Sequence, residues 1–231
     1  MDTQFLGLAA EDWHALAFSA GVSAVAVLVS LPFGLVLGWL LARRHFFGKA
    51  LLETLLNLPL VLPPVVTGYL LLVLLGRRGW LSGVLGIEVA FTWMAAALAG
   101  AVMGFPLLVR SVRVAFQGVD PRFAQAARSL GAGPLDAFLT VSLPLARHGV
   151  IAGVVLAFAR GLGEFGATLL FAGSQPGRRT LAVQLFILHE QPGDAYEQRL
   201  WRLVTAAVVL SCAALAASEY LEQRGARRDS A

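Results

Sequence analysis

The chain has 231 residues, of which 58% are hydrophobic and 14% charged, with mean hydropathy +0.73. Soluble domains carry about 25% charged residues, so the deficit points to lipid. Net charge is +4, but nearly all the basic residues lie at the ends of apolar runs, which reads as topology and lipid contact and not as nucleic-acid binding.

Residues 1–13 hold Asp2, Glu11 and Asp12 and no Lys or Arg, the reverse of a basic signal-peptide start. The apolar run that follows, 15–42, contains no charge and is too long for a signal-peptide core, so it reads as the first membrane span. Its Gly34 and Gly38, four apart, permit close helix approach. A second charge-free run, 54–76, is interrupted by Pro59, Pro63 and Pro64, which remove backbone donors and kink a helix. Carbonyls freed in this way are tolerated in lipid only where protein or a water-filled cavity satisfies them. Asn57, Pro63, Pro64, Thr67 and Gly68 are therefore either the lining of a translocation path or a kink packed against neighbouring helices. The third run, 89–109, is again charge-free.

A polar interlude follows at about 120–144. Asp120-Pro121 supplies an N-cap carboxylate and a proline at the first helical position. Phe123, Ala126, Ala127 and Leu130 then fall on one apolar stripe, flanked by Arg122, Gln125, Arg128 and Ser129. Gly131 stands where a left-handed C-cap would end the helix. Gly133-Pro134 restarts the chain, and Leu135, Phe138 and Leu139 make a second stripe before Leu143-Pro144 leads into the next span. Two short helices meeting at a glycine-rich corner are expected. The stripe could lie on the bilayer or its own helices, or receive a partner whose backbone approaches the paired alanines.

The fourth run, 148–173, carries Arg160 and Glu164 four residues apart, on one helical face and able to pair. Ionisable residues inside a membrane are functional candidates; a neutralised pair suits a structural latch or a gate. Gly161, Gly163 and Gly166 around the pair, like Gly34 and Gly38, offer close-packing faces suited to a homodimer. The loop at 174–198 holds one apolar segment, 181–188, too short to span. The last run starts at 201 or 203 and ends at 220, with aromatic residues at both ends as in an interfacial belt. Five spans are expected.

With the N-terminus outside, Arg43, Arg44, Lys49, Arg110, Arg113, Arg122, Arg128, Arg147, Arg224, Arg227 and Arg228 lie inside, against Arg77, Arg78, Arg178, Arg179, Arg199 and Arg202 outside. The positive-inside bias thus favours N-out, C-in, with the Gln125 loop in the cytoplasm. Catalytic signatures are missing: the histidines His14, His45, His148 and His189 are scattered, and no HExxH, CxxC or GxSxG occurs. The only cysteine, Cys212, leaves no disulfide framework and no thiolate metal site. Lys49 follows Gly48, but Ala50 and Arg43 break the phosphate-loop pattern, so ATP is not bound by that route. No internal repeat of the secondary-transporter kind is visible, and the chain is short for a complete transporter.

The stretch Gln125-Ala126-Ala127, Gly131, Val141-Ser142-Leu143-Pro144 resembles the coupling-helix signature of ABC importer permeases, Glu-Ala-Ala-x3-Gly-x9-Ile-x-Leu-Pro. The spacing agrees throughout; Gln125 replaces glutamate, keeping hydrogen-bonding capacity without charge, and Val141 replaces isoleucine. The segments from Leu58 to Tyr69 and from Leu156 to Thr168 are similar to the molybdate permease branch, whose relatives carry sulfate or thiosulfate. The resemblance implies an all-α integral membrane protein of type I importer fold, one transmembrane domain over 1–231, in a bacterial inner membrane. It further implies a homodimer with the path at its interface and two copies of a cytoplasmic ABC ATPase docked on the loop. A periplasmic molybdate-binding protein would deliver substrate, and no cofactor is held by this chain, ATP-Mg residing in the partner. Sulfate, thiosulfate or tungstate is the alternative cargo. From other classes, a stand-alone secondary transporter or channel, or a scaffold whose loop recruits a soluble protein, would share the hydropathy.

Overall fold

The computed structural model describes residues 8–77, 79, 82–83, 86 and 88–229, excepting the side chains of 210 and 213–229. Asp2, Arg78 and the side chains of Tyr220, Arg224, Arg227 and Arg228 thus lie outside the described residues.

Helix α1, Ala10–Arg43, runs 34 residues, or about 51 Å at 1.5 Å per residue, more than a hydrocarbon core requires. It starts ahead of the expected apolar run because Glu11 and Asp12 suit a first turn, where the helix dipole favours negative charge. The second expected span is two helices, α2 (Lys49–Val61) and α3 (Pro64–Leu75), set at 112°. Leu62 and Pro63 between them are extended, as a residue before proline is driven to be, and Pro63 precedes Pro64. The expected kink is therefore a full break, made at Pro63-Pro64; Pro59 stays inside α2.

Helix α4, Trp93–Gly118, outruns its apolar stretch and carries Arg110 and Arg113 beyond it. A short α5 (Pro121–Ser129) and α6 (Pro134–Ala137) follow. The second loop helix does not stand alone, contrary to expectation. It continues through a π-helical turn, Phe138–Ser142, into α7, Leu143–Leu162. Pro144 has no N–H for the carbonyl of Thr140 and its ring crowds that oxygen; the preceding turn opens to π geometry, with Leu143 N–H donating to Phe138. The fourth span also ends sooner than expected, at Leu162. Residues 163–165 break it before α8, Gly166–Phe171. Helix α9, Leu181–Glu190, and the long α10, Asp194–Asp229, complete the chain. Among the described residues three helical runs can each cross a membrane, α1, α4 and the continuous Pro134–Leu162, or four if the bent α2–α3 pair counts as one.

The centre of the molecule is α1, α4 and α7 packed along their lengths. Small side chains make that possible. Ala95, Ala96, Ala99, Met103, Leu108 and Val112 of α4 are buried. A methyl at Gly34 would fall 2.7 Å from Leu108, and one at Gly38 2.5 Å from Val112. In lipid, where apolar burial brings no hydrophobic gain, such close backbone approach is the main attraction between helices. The Gly34–Gly38 face is thus filled from within the chain and not by a second copy, as is Gly161, whose added methyl would meet Ser23 at 3.1 Å.

Candidate functional site

The loop between α4 and α7 is built from its caps. Asp120 accepts the Arg122 N–H at 2.9 Å, and Pro121 occupies the first helical position, so α5 starts where the sequence places it. Its other end is a Schellman motif: Gly131, at φ +98°, donates to Arg128, and Ala132 donates to Ala127, both at 3.1 Å. That left-handed backbone is why a glycine stands there; space is not, since an added methyl would meet nothing.

The first stripe is bare. Leu130 is 91% exposed and Phe123 58%, while Arg122, Gln125 and Ala126 are exposed and Ala127 is half-buried. The second stripe divides. Leu135 and Leu139 stay in the open, but Phe138 turns inward onto Trp39 of α1 (ring centroids 6.0 Å, edge-on) and Phe116 of α4 (5.6 Å). Phe138 thereby pins the loop to the two central helices, and edge-on and tilted rings at these distances are favourable pairs. Leu143 is half-buried and Pro144 exposed at the turn into α7. The outcome is a capped, anchored helix presenting apolar side chains outward.

On the same side, one ion pair and two bonds to backbone carbonyls tie the helices together, and sequence spacing gives no hint of them. Arg43 donates to the Val119 carbonyl at 2.6 Å, just before α5. Arg113 of α4 pairs with Glu53 of α2 at 3.0 Å, and Lys49 closes the α1–α2 turn on the Leu41 carbonyl at 2.7 Å.

Within the spans, the residues singled out by sequence divide into two groups. Asn57 and Pro63 are exposed, Asn57 bonding back to the Glu53 carbonyl of its own helix at 2.7 Å. Thr67 and Gly68 are buried where α3 meets α8. A methyl on Gly68 would sit 2.6 Å from the Ala167 Cα, and one on Gly166 would meet Val65 and the exposed Pro64 at about 3 Å. These helices touch backbone to backbone. Among the described residues the buried Thr67 Oγ1 has no hydrogen-bond partner, a costly state for a hydroxyl.

Arg160 and Glu164 do pair, at 2.5 Å. Glu164 is 2% exposed and uses both oxygens: Oε2 takes Arg160, while Oε1 accepts the Ala167 N–H at 2.9 Å. One carboxylate therefore spans the break, joining the end of α7 to the first turn of α8. A buried charge is tolerable on those terms, paired and hydrogen-bonded.

Sequence reasoning missed one cluster altogether. Asp12, fully buried in α1, accepts from Arg199 Nε at 2.7 Å and Nη2 at 2.8 Å, from Gln184 at 3.2 Å and from the Ala9 N–H at 3.1 Å. Glu11 takes the same guanidinium at 3.1 Å. The hydrogen bonds that Arg199 donates to Asp12 raise its pKa above the ordinary arginine value, against the opposing effect of burial. The available signal was the acid pair Glu11-Asp12 just ahead of an apolar run. Among the described residues no group of three His, Cys, Asp or Glu side chains could hold a metal ion.

The family model described as "Binding-protein-dependent transport system inner membrane component" matches residues 15–224. The chain belongs to this family. It is a multi-pass inner-membrane permease subunit of an ABC importer. The Escherichia coli (strain K12) "Molybdenum transport system permease protein ModB" is 51% identical over 91% of this chain and 93% of its own length. The Synechocystis "Sulfate transport system permease protein CysW" is 34% identical over 88% of this chain and 75% of its own length. A bacterial ABC transporter "involved in the import of the acidic polysaccharide alginate" contains a chain of like structure. Its TM-score is 0.70 at 15% identity, over 95% of this chain and 81% of that one. The likeness shows the fold alone: all-α, multi-pass, of the type I importer permeases.

Proposed function

We propose that this permease moves molybdate inward, with its N-terminus outside, five spans, its C-terminus in the cytoplasm, and the loop at 120–144 docked on an ABC ATPase. The observation that carries the coupling role is the bare apolar face of α5, with Leu130 91% exposed beside a Schellman cap and with Phe138 anchoring the loop behind it. An apolar face held rigid at both ends suits a groove on a partner, because little ordering remains to oppose binding. Arg122, Phe123, Gln125, Ala126, Ala127, Leu130, Gly131, Leu143 and Pro144 are the contact set. The fifth span is the apolar part of α10.

Two copies of the chain, two ATPase subunits holding ATP-Mg and a periplasmic molybdate-binding protein complete the machine. Asn57, Pro63, Pro64, Thr67, Gly68, Arg160 and Glu164 are its path or gate. The α3–α8 contact and the Glu164 bridge support a gate in preference to an open lining, since Thr67 and Gly68 are covered. Molybdate is favoured by the 51% identity to a molybdenum permease over nearly full length, and sulfate is the second reading because a sulfate permease is also similar.

The test is ATP hydrolysis by the reconstituted complex with its cognate binding protein loaded with molybdate, tungstate or sulfate. Stimulation by molybdate is expected. Stimulation by sulfate alone overturns the substrate.

A further inference from the structure

Helix α9 belongs to none of the parts assigned so far, yet it touches two of them. One turn of it is clamped to α1: the Leu181 N–H donates to Ser19 at 2.6 Å, and the buried Gln184 donates to Asp12 at 3.2 Å. Arg179, just ahead of the helix, reaches the Gln184 side-chain oxygen at 3.4 Å. Two residues further on, Phe186 leaves this clamp and lays its ring on Phe165, with centroids 5.2 Å apart and planes tilted by 46°.

Phe165 is the last residue of the break between α7 and α8. Its carbonyl accepts the Leu169 N–H at 2.8 Å, the first backbone bond of α8, and its neighbour Glu164 closes the break from inside. Downstream, Ala167 is the residue against which Gly68 of α3 is pressed. The ring of Phe186 is 41% exposed, so one face rests on the break and the other is open.

We propose that Phe186 is a positioning residue for transport: stacked on Phe165, it sets the 163–165 break and so the seat of α8 on α3, and a protein pressing on α9 moves that seat. The inference rests on the proposed periplasmic placement of α9 and on the gate reading of Glu164. Two supports hold the break, the carboxylate within and the ring without, and only the ring can be reached by a partner that stays outside the membrane. Beyond Phe186 the buried Leu188 lies in one apolar cluster with Leu16 of α1 and Leu203 of α10, so α9 is held on both sides of Phe186 and a push on it carries the ring with it.

The experiment uses the complete complex in lipid nanodiscs, with its ATPase and its binding protein loaded with molybdate. Hydrolysis is measured with and without that protein for Phe186→Ala, Phe165→Ala, the double variant and Phe186→Tyr. Basal hydrolysis is expected to stay at the wild-type level in all four. Stimulation should fall about fivefold or more in each alanine variant, the lower end of ordinary coupling between sites. The double variant should lose no more than either single, as two halves of one contact do, and Phe186→Tyr should retain stimulation because the ring remains.

Wild-type stimulation in Phe186→Ala, or losses that multiply in the double variant, overturns the proposal. If Phe186→Ala does not assemble, Phe186→Leu is judged by the same ratio, and failure of both to assemble makes Phe186 a folding residue and also overturns it. A wild-type complex that answers only to a sulfate-loaded partner sinks the molybdate reading, while the variants are still judged on the sulfate response. A wild-type complex that answers to no loaded protein sinks both.

Discussion

Asp12 and Glu164 are both acids enclosed in an apolar helical protein, and they differ in how far away their partners lie. Glu164 finds Arg160 four residues back, so the pair was legible from spacing alone. Asp12 finds Arg199 across 187 residues and Gln184 across 172, which no local pattern encodes. The geometry has a consequence for stability. Removing one partner of a buried pair leaves an uncompensated charge, at about 3–5 kcal/mol. Arg199→Met should therefore lower the melting temperature of the detergent-solubilised protein well beyond a change at the exposed Arg178, Arg178→Met, with tryptophan fluorescence as the readout; equal melting temperatures would refute the clamp. The pH dependence has a definite sign. Arg199 has its folded pKa raised by the Asp12 hydrogen bond. From neutral pH upward its contribution is thus complete below the unfolded arginine value and fades only as pH climbs through the folded one. Between neutral and moderately alkaline pH, the melting-temperature gap between wild type and Arg199→Met should not narrow.

At the scale of elements, hydropathy registers length and is blind to continuity. Residues 54–76 have the content of a span, yet the extended pair Leu62-Pro63 turns them through 112°. The prolines announced a disturbance; the size of it depends on what α3 packs against, the backbone of α8 at Ala167, which no reading of one segment contains. The α7–α8 break was less visible still, because a run of apolar residues continues past Gly163 while the backbone departs to let Glu164 bridge. Helix α5 was the reverse case, with Asp120, Pro121 and Gly131 each doing in space what the residue type implies, since caps are local. Phe138 was the exception in that loop: periodicity gave it a face but not the inward turn onto Trp39 and Phe116. Gly131 offers the sharpest test of the loop. At φ +98° a β-branched residue is strained by about 1–3 kcal/mol, whereas asparagine tolerates the left-handed region. Gly131→Val should insert normally and lose most ATP-driven uptake, while Gly131→Asn keeps most of it. Uptake by Gly131→Val equal to wild type would remove the coupling role from this corner.

The molecule as a whole has its interior filled. Among the described residues, helices α1, α4 and α7 meet through alanine, glycine and close side-chain contact, and the Gly34, Gly38 and Gly161 faces that might have joined two copies are used inside one. Besides the coupling loop, exposed apolar residues gather on the bent pair, at Leu51, Leu55, Leu58, Val61, Val65 and Tyr69, and on α1, at Leu28, Val29, Phe33 and Val36. On the proposed function, a path forms where that flank meets a second copy, with an energy source beneath the loop. The corresponding expectation is that this chain alone, purified into proteoliposomes, accumulates no radiolabelled molybdate under any ion gradient. The same vesicles made with the ATPase, and supplied with loaded binding protein on one side and ATP on the other, should accumulate it and should stop when hydrolysis is blocked. Gradient-driven uptake by the chain alone would mean that the filled bundle opens unaided, and the division of labour between permease and ATPase would then fall.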